Sequence, residues 1–313
     1  MHIDWALTGV TAVSVVKLVI MALVGVLASK MGILDETGTT KVTKLLLNVI
    51  IPMMLLSSYF TEFNSEMLSN MLYVFAATFI VHMVCIGVIR IFIRKKDNPN
   101  FEVESGMALM TNCGCIGIPL VSMILGPGCV FFVSSYMTIN SFFVWIYLPL
   151  LLSGKVTKQN IKKAFLSPCL IAIYIGLILF FTKTSPMLPE MITEPISKIG
   201  NCSAPVAMML SGATVARSDI KGLLKNPRTY LVCFVRLIVC SLITIPIVLL
   251  LGMPTDVALA VHISHAAGAG FATVMIAEDN GKDAGYCAGL MAMATILCII
   301  TIPVVVAVFT LFT

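Results

Sequence analysis

Ten long apolar runs, separated by short polar or turn-forming stretches, constrain this chain more than any other feature. They cover residues 10–29, 43–60, 69–93, 105–126, 129–152, 165–182, 195–215, 228–252, 255–277 and 284–312. A helix needs about 20 apolar residues to cross the hydrocarbon core of a bilayer, and every run is near that length. Lipid offers the backbone no hydrogen-bond partners, so segments of this kind cross as helices. The pattern predicts an all-α membrane protein with ten transmembrane helices. Composition agrees, at 59% hydrophobic and 11% charged residues with a mean hydropathy of +1.03. A soluble domain is typically about 45–50% apolar and about 25% charged. A soluble enzyme and a nucleic-acid binder are therefore excluded as first readings. The ten cysteines fall almost entirely within apolar runs and read as small packing residues. Cys113 and Cys115 lack zinc-site spacing, so no metal or cofactor is expected. The start, Met1 to Trp5, has no basic cluster of the kind that opens a cleavable signal peptide.

Charge orients the runs. Sixteen of the twenty lysines and arginines fall in alternate loops, after runs one, three, five, seven and nine. The other side holds only Lys183 and Lys198. Basic loops face the cytoplasm, so both termini are expected outside a cytoplasmic membrane crossed many times.

The two halves of the chain resemble each other at an offset of 153 residues. Asn48 and Pro52 then fall on Asn201 and Pro205, Asn112 falls on His265, and Gly117 falls on Gly270. Five spans per half is an odd number, so the halves have opposite orientation. This predicts an inverted repeat, 10–152 and 165–312, of the kind found in secondary transporters.

The fourth and ninth runs carry helix breakers. The fourth reads Asn112-Cys113-Gly114-Cys115-Ile116-Gly117-Ile118-Pro119. Pro119 removes an internal hydrogen bond, and Gly114 and Gly117 weaken the same turn. The ninth has Gly268 and Gly270 beside His265 but no proline, which predicts a milder break or one held by ligand contacts. Each break would expose a half-helix N-terminus with about half a positive charge and free N–H groups. Two such ends meeting at mid-membrane favour an anion, with Asn112 and His265 as side-chain donors. Close helix packing is the plainer use of the glycines.

These elements together resemble the auxin efflux carrier family of permeases, across essentially the whole chain. The carriers of the resemblance are Asn112 to Leu120, the Asn48/Pro52 and Asn201/Pro205 pairs, and the ten-span layout. Without a long hydrophilic central loop, the chain is similar to a compact bacterial-type member. Cys115 and the proline-free ninth run are its departures from the pattern. The resemblance implies crossed broken helices four and nine, as in bile-acid symporters and related antiporters. It implies a scaffold subdomain from spans 1, 2, 6 and 7, and a moving core from spans 3–5 and 8–10. It further implies transport of small organic anions, carboxylates such as auxin or malate, by a possible homodimer.

Other polar groups in the runs are candidates by default, because ionisable groups in lipid are costly. Lys17 either pairs with a carbonyl or an anion, or snorkels. Arg236 either attracts substrate near the cytoplasm or reaches headgroups. His262 and His265 share a helix face, and His265 is the candidate proton carrier. Asn48 and Asn201 either bond backbone freed by their prolines or line the site from the scaffold side. Asn140 is a core-side donor. No acid lies near the middle of a run, which disfavours a cation antiporter. A sodium-coupled organic anion symporter of the bile-acid type is the alternative, and a channel or receptor is a more distant one. No intramembrane protease motif is present, so an enzyme is not expected. The function read from the sequence is a secondary active transporter for a small organic anion, working by elevator-like alternating access.

Overall fold

In the computed structural model, residues 4–96 and 98–313 are described, so Met1 to Ile3 and Asp97 lie outside the account. Among the described residues, eight helices are long and apolar enough to cross a membrane. They are α1 (Trp5–Lys30), α2 (Glu36–Ser57), α3 (Ser65–Phe92), α6 (Pro127–Ser153), α7 (Lys158–Phe181), α8 (Glu190–Arg217), α10 (Pro227–Leu250) and α13 (Ala284–Phe309). Between them lie two interrupted segments. The first comprises α4 (Phe101–Leu109) and α5 (Cys113–Leu125). The second comprises α11 (Thr255–Ala266) and α12 (Phe271–Asp279). A short helix, α9 (Ile220–Lys225), precedes α10.

Local chemistry sets where these helices start and widen. Asp4, Asn64 and Asp283 cap α1, α3 and α13 by accepting from backbone N–H groups. Three helices contain a wide π turn that ends two residues before a proline. The turns are Leu46–Ile50 before Pro52, Cys113–Gly117 before Pro119, and Phe143–Tyr147 before Pro149. Proline lacks the N–H that would serve the carbonyl four residues back. The turn ahead of it opens to bonds spanning five residues, such as Ile118 N–H to the Cys113 carbonyl. The prolines are thereby accommodated without ending the helices.

Packing around the outer helices relies on glycine at close crossings. A Cβ on Gly212 of α8 would lie 1.9 Å from the Ala22 carbonyl oxygen of α1. One on Gly25 of α1 would lie 1.9 Å from the Met209 carbonyl oxygen. Likewise a Cβ on Gly200 of α8 would meet Met54 of α2 at 2.7 Å, and one on Gly176 of α7 would meet the Tyr59 ring at 2.4 Å. Backbones approach this closely only where a side chain is missing. The core runs continuously from these helices to the two interrupted segments. We predict that Gly212→Val lowers the unfolding temperature of detergent-purified protein, by the equivalent of about 1–3 kcal/mol of overpacking. Gly9→Ala, with nothing within 4 Å of the new carbon, serves as the control. Equal unfolding temperatures for the two variants would dismiss the close crossing as a source of stability.

Candidate functional site

The interruptions in the two segments meet each other. Residues 110–112 and 267–270 leave the helical conformation and pair antiparallel. The Asn112 N–H donates to the Gly268 carbonyl and the Gly270 N–H to the Met110 carbonyl, both at 2.9 Å. The Thr111 hydroxyl donates to the carbonyls of Ser264 at 2.7 Å and Ala267 at 3.1 Å. Glycine is required here for approach: a Cβ on Gly270 would lie 2.9 Å from the Thr111 oxygen, and one on Gly117 3.3 Å from Ser264 Cα. A Cβ on Gly268 would lie 3.0 Å from the Cys298 sulfur, whereas one on Gly114 would make only ordinary contacts.

This geometry corrects the expectation that Pro119 makes the break. Pro119 lies inside α5, where the π turn Cys113–Gly117 ahead of it absorbs its missing N–H without ending the helix. The chain opens seven or more residues earlier, at Met110 to Asn112. Nor is the second break milder for lack of a proline, because backbone pairing between the two stretches supplies the partners that each helix gives up.

Arg236 holds the junction from behind. It is fully buried, inside a π turn of α10 (Val235–Val239). One end nitrogen donates toward the carbonyls of Ala108, at 3.5 Å, and Leu109, at 3.3 Å. The other donates to the carbonyls of His265 and, at 3.1 Å, Ala267. These carbonyls belong to the C-terminal ends of α4 and α11. Each end carries about half a negative charge, so one guanidinium neutralises both. The expectation that Arg236 attracts substrate at a vestibule or reaches headgroups is therefore replaced: it is spent on the two helix ends.

The other sequence-derived candidates divide in two. Asn112 is buried and lines a narrow cavity of about 10 Å³ with Cys115, Phe271, Leu46, Thr43 and Ser211. The Thr43 hydroxyl is buried there without a hydrogen-bond partner. Cys115 and Phe271 lie in the opening turns of α5 and α12, so both half-helix N-termini border this space. Thr43, Ser211 and Phe271 were not singled out by the sequence, since nothing in it tells which face of α2 or α8 turns toward the break.

His265 turns the other way. Its Nδ1 meets the Tyr136 hydroxyl at 2.8 Å, and its Nε2 lies 3.6 Å from the Cys85 sulfur. His82 lies edge-on to it and is held by the Thr78 carbonyl at 2.8 Å and the Asn140 amide at 3.1 Å. Asn140 also approaches the Cys113 sulfur at 3.9 Å. This polar cluster supports the break from inside the bundle, and the His265 ring is not among the cavity walls. His262 is away from the junction, between Thr244 and the Val305 carbonyl and stacked on Phe309. Asn48 is exposed and donates to the Lys44 carbonyl at 2.8 Å, a backbone role. Asn201 and Lys17 are also exposed and are not brought to the junction.

A second buried charge went unnoticed in the sequence. Glu104, in the first turn of α4, accepts two bonds from Arg228, one at 2.7 Å, with further bonds from Asn98 at 3.0 Å and Tyr286 at 3.1 Å. It ties α4, α10 and α13 together beyond the junction.

We predict that Arg236→Met destabilises the protein by about 3–5 kcal/mol, the usual loss when one partner of a buried ionic arrangement is removed. Arg236→Lys should recover part of this, because one ammonium cannot reach all four carbonyls. Thermal unfolding in detergent reads the series, and a Met variant as stable as the parent would mean that the junction holds without its cation.

The model of a family described as membrane transport protein covers residues 10–306. No curated protein matches the chain.

Proposed function

This chain belongs to the membrane transport protein family, which is the auxin efflux carrier family, and we propose that within it the protein is a secondary carrier of small organic anions. As a member of that family it is a membrane transporter rather than an enzyme. The substrate class rests on one observation: the cavity beside Asn112 with its unpartnered Thr43 hydroxyl. Two helix N-termini border that cavity, each with about half a positive charge. Their negative counterparts are already neutralised by Arg236, and no acidic side chain is among the cavity walls. The balance left at the cavity is positive.

The proposed architecture is ten spans in two inverted repeats, the eight long helices plus the two interrupted segments. Support comes from reciprocity at the offset of 153 residues. Gly117 closes against Ser264, and Gly270 closes against Thr111. Gly270 is the repeat image of Gly117, and Ser264 that of Thr111. A contact and its image both present are what a two-fold relation between the halves requires. In the proposed cycle, α1, α2, α7 and α8 form the scaffold. The interrupted segments with α3, α6, α10 and α13 move against it in an elevator-like manner. The cavity lies on that border, with Thr43 and Ser211 on the scaffold side and Asn112, Cys115 and Phe271 on the moving side. The protein would sit in the cytoplasmic membrane with both ends outside, with a second copy of the chain as its partner.

Transport into proteoliposomes tests this reading. Asn112→Ala should abolish carboxylate uptake in protein that remains folded, and uptake at the parent rate would refute the site. Thr43→Val should raise KM about three- to tenfold, the worth of one hydrogen bond of about 0.5–1.5 kcal/mol. The motion has its own test. Ser211→Cys, with Cys115 as the one other cysteine, should let oxidation arrest uptake and reduction restore it. Continued uptake by the crosslinked protein would exclude sliding at this border.

A further inference from the structure

A second cavity, of about 130 Å³, opens between α1 and α13 and is walled almost wholly by apolar side chains. Its floor is fully buried: Leu18, Ile116, Leu120 and Ile302 are each 0–3% exposed. Its mouth is not, since Leu23 is 55% exposed and Ile299 38%. The mouth therefore opens on the outer face of two membrane-length helices, where the surrounding medium is hydrocarbon. Water gains nothing in such a space, because an ordered water needs two to four polar partners. The basic ends of the neighbouring helices lie next to it. Lys30 is one turn beyond Val26 on α1, and Arg217 is two residues beyond Val215 on α8, and both valines line the cavity. Arg217 is fixed there by bonds to the Leu34 carbonyl at 2.7 Å and the Thr39 hydroxyl at 2.9 Å.

We propose that this cavity is a binding site for one acyl chain of an anionic phospholipid, with the headgroup at Lys30 and Arg217. A buried methylene is stabilised strongly when it leaves water and much less when it leaves bulk lipid. Selectivity over bulk lipid therefore comes from fit in the cavity and from attraction of the anionic headgroup to the two cations. The chain end would rest on Ile116 and Leu120, in the segment that forms the break. A bound lipid thus touches the moving part of the proposed carrier, and only this last consequence rests on that reading.

Binding is tested without any transport assay. Delipidated protein in detergent is titrated with dioleoyl phosphatidylglycerol, dioleoyl phosphatidylcholine and short-chain dihexanoyl phosphatidylglycerol. The dioleoyl glycerol lipid should raise the unfolding temperature most, and the short-chain lipid should give no shift. Filling the cavity with Val19→Phe and Thr295→Phe should weaken dioleoyl binding by on the order of tenfold, as losing burial for about two methylenes would. Lys30→Gln should narrow the preference for glycerol over choline headgroups. Equal shifts from long and short chains, or unchanged binding by the filled variant, would overturn the proposal. Should the filled variant not fold, a cryo-EM map of the parent protein in phosphatidylglycerol nanodiscs decides. Chain density reaching Leu120 supports the site, and a mouth closed by side chains or an empty floor overturns it.

Discussion

Two helices that stop halfway across a membrane leave four carbonyls at one end of each and several N–H groups at the other. Hydrocarbon solvates neither, at a cost of several kcal/mol per unmet group. Arg236 resolves the carbonyl half of this problem for both helices at once. Its charge also matters, because two half-negative ends against one positive guanidinium balance. A neutral donor would have satisfied the carbonyls and left the junction with no net charge. With the arginine, the N–H ends are left to set the field at the cavity, which is the ground of the proposed preference for an anion. The carrier reading thus depends on a residue that does not touch the cavity.

The backbone pairing at the junction is the complementary half of the arrangement. Asn112 and Gly270 each give an N–H across the gap, so the extended stretches satisfy one another. Only glycine at 270 permits the approach. Thr111 adds a hydroxyl bond to two carbonyls of the facing helix. The break is accordingly a built element with its own hydrogen-bond set, and the polar cluster of His265, Tyr136, His82 and Asn140 braces it from the bundle side.

Hydropathy made the long helices legible, because lipid admits few alternatives to an apolar helix. The two interrupted segments were legible too, from clustered glycines at equivalent places. Their internal detail was not. Proline drew the expected break toward residue 119, yet the π turn ahead of it absorbs the missing N–H, and the opening falls upstream. Asn48 and Asn201 fall together at the offset of 153 residues, yet both side chains are exposed and neither reaches the junction. Arg236 was visible as a charge in an apolar run, while its partners come from two segments that only the fold assembles. Glu104 looked like an ordinary helix-start acid for the same reason. Its burial is produced by Asn98, Arg228 and Tyr286, which arrive from elsewhere in the chain.

The π turns ahead of Pro52, Pro119 and Pro149 each hold one residue more than a regular turn. Such a surplus can in principle wander along a helix, handing its extra residue to the next turn. A proline two positions downstream blocks that drift, since the ring has no N–H with which to rebuild the ladder behind it. Every residue of slippage would swing the preceding side chains by about 100° around the axis. Cys115, within one such turn, is thereby locked in azimuth relative to Leu120. The prolines act as detents, and those at 52 and 119 set the direction in which Leu46, Leu47 and Cys115 face the cavity.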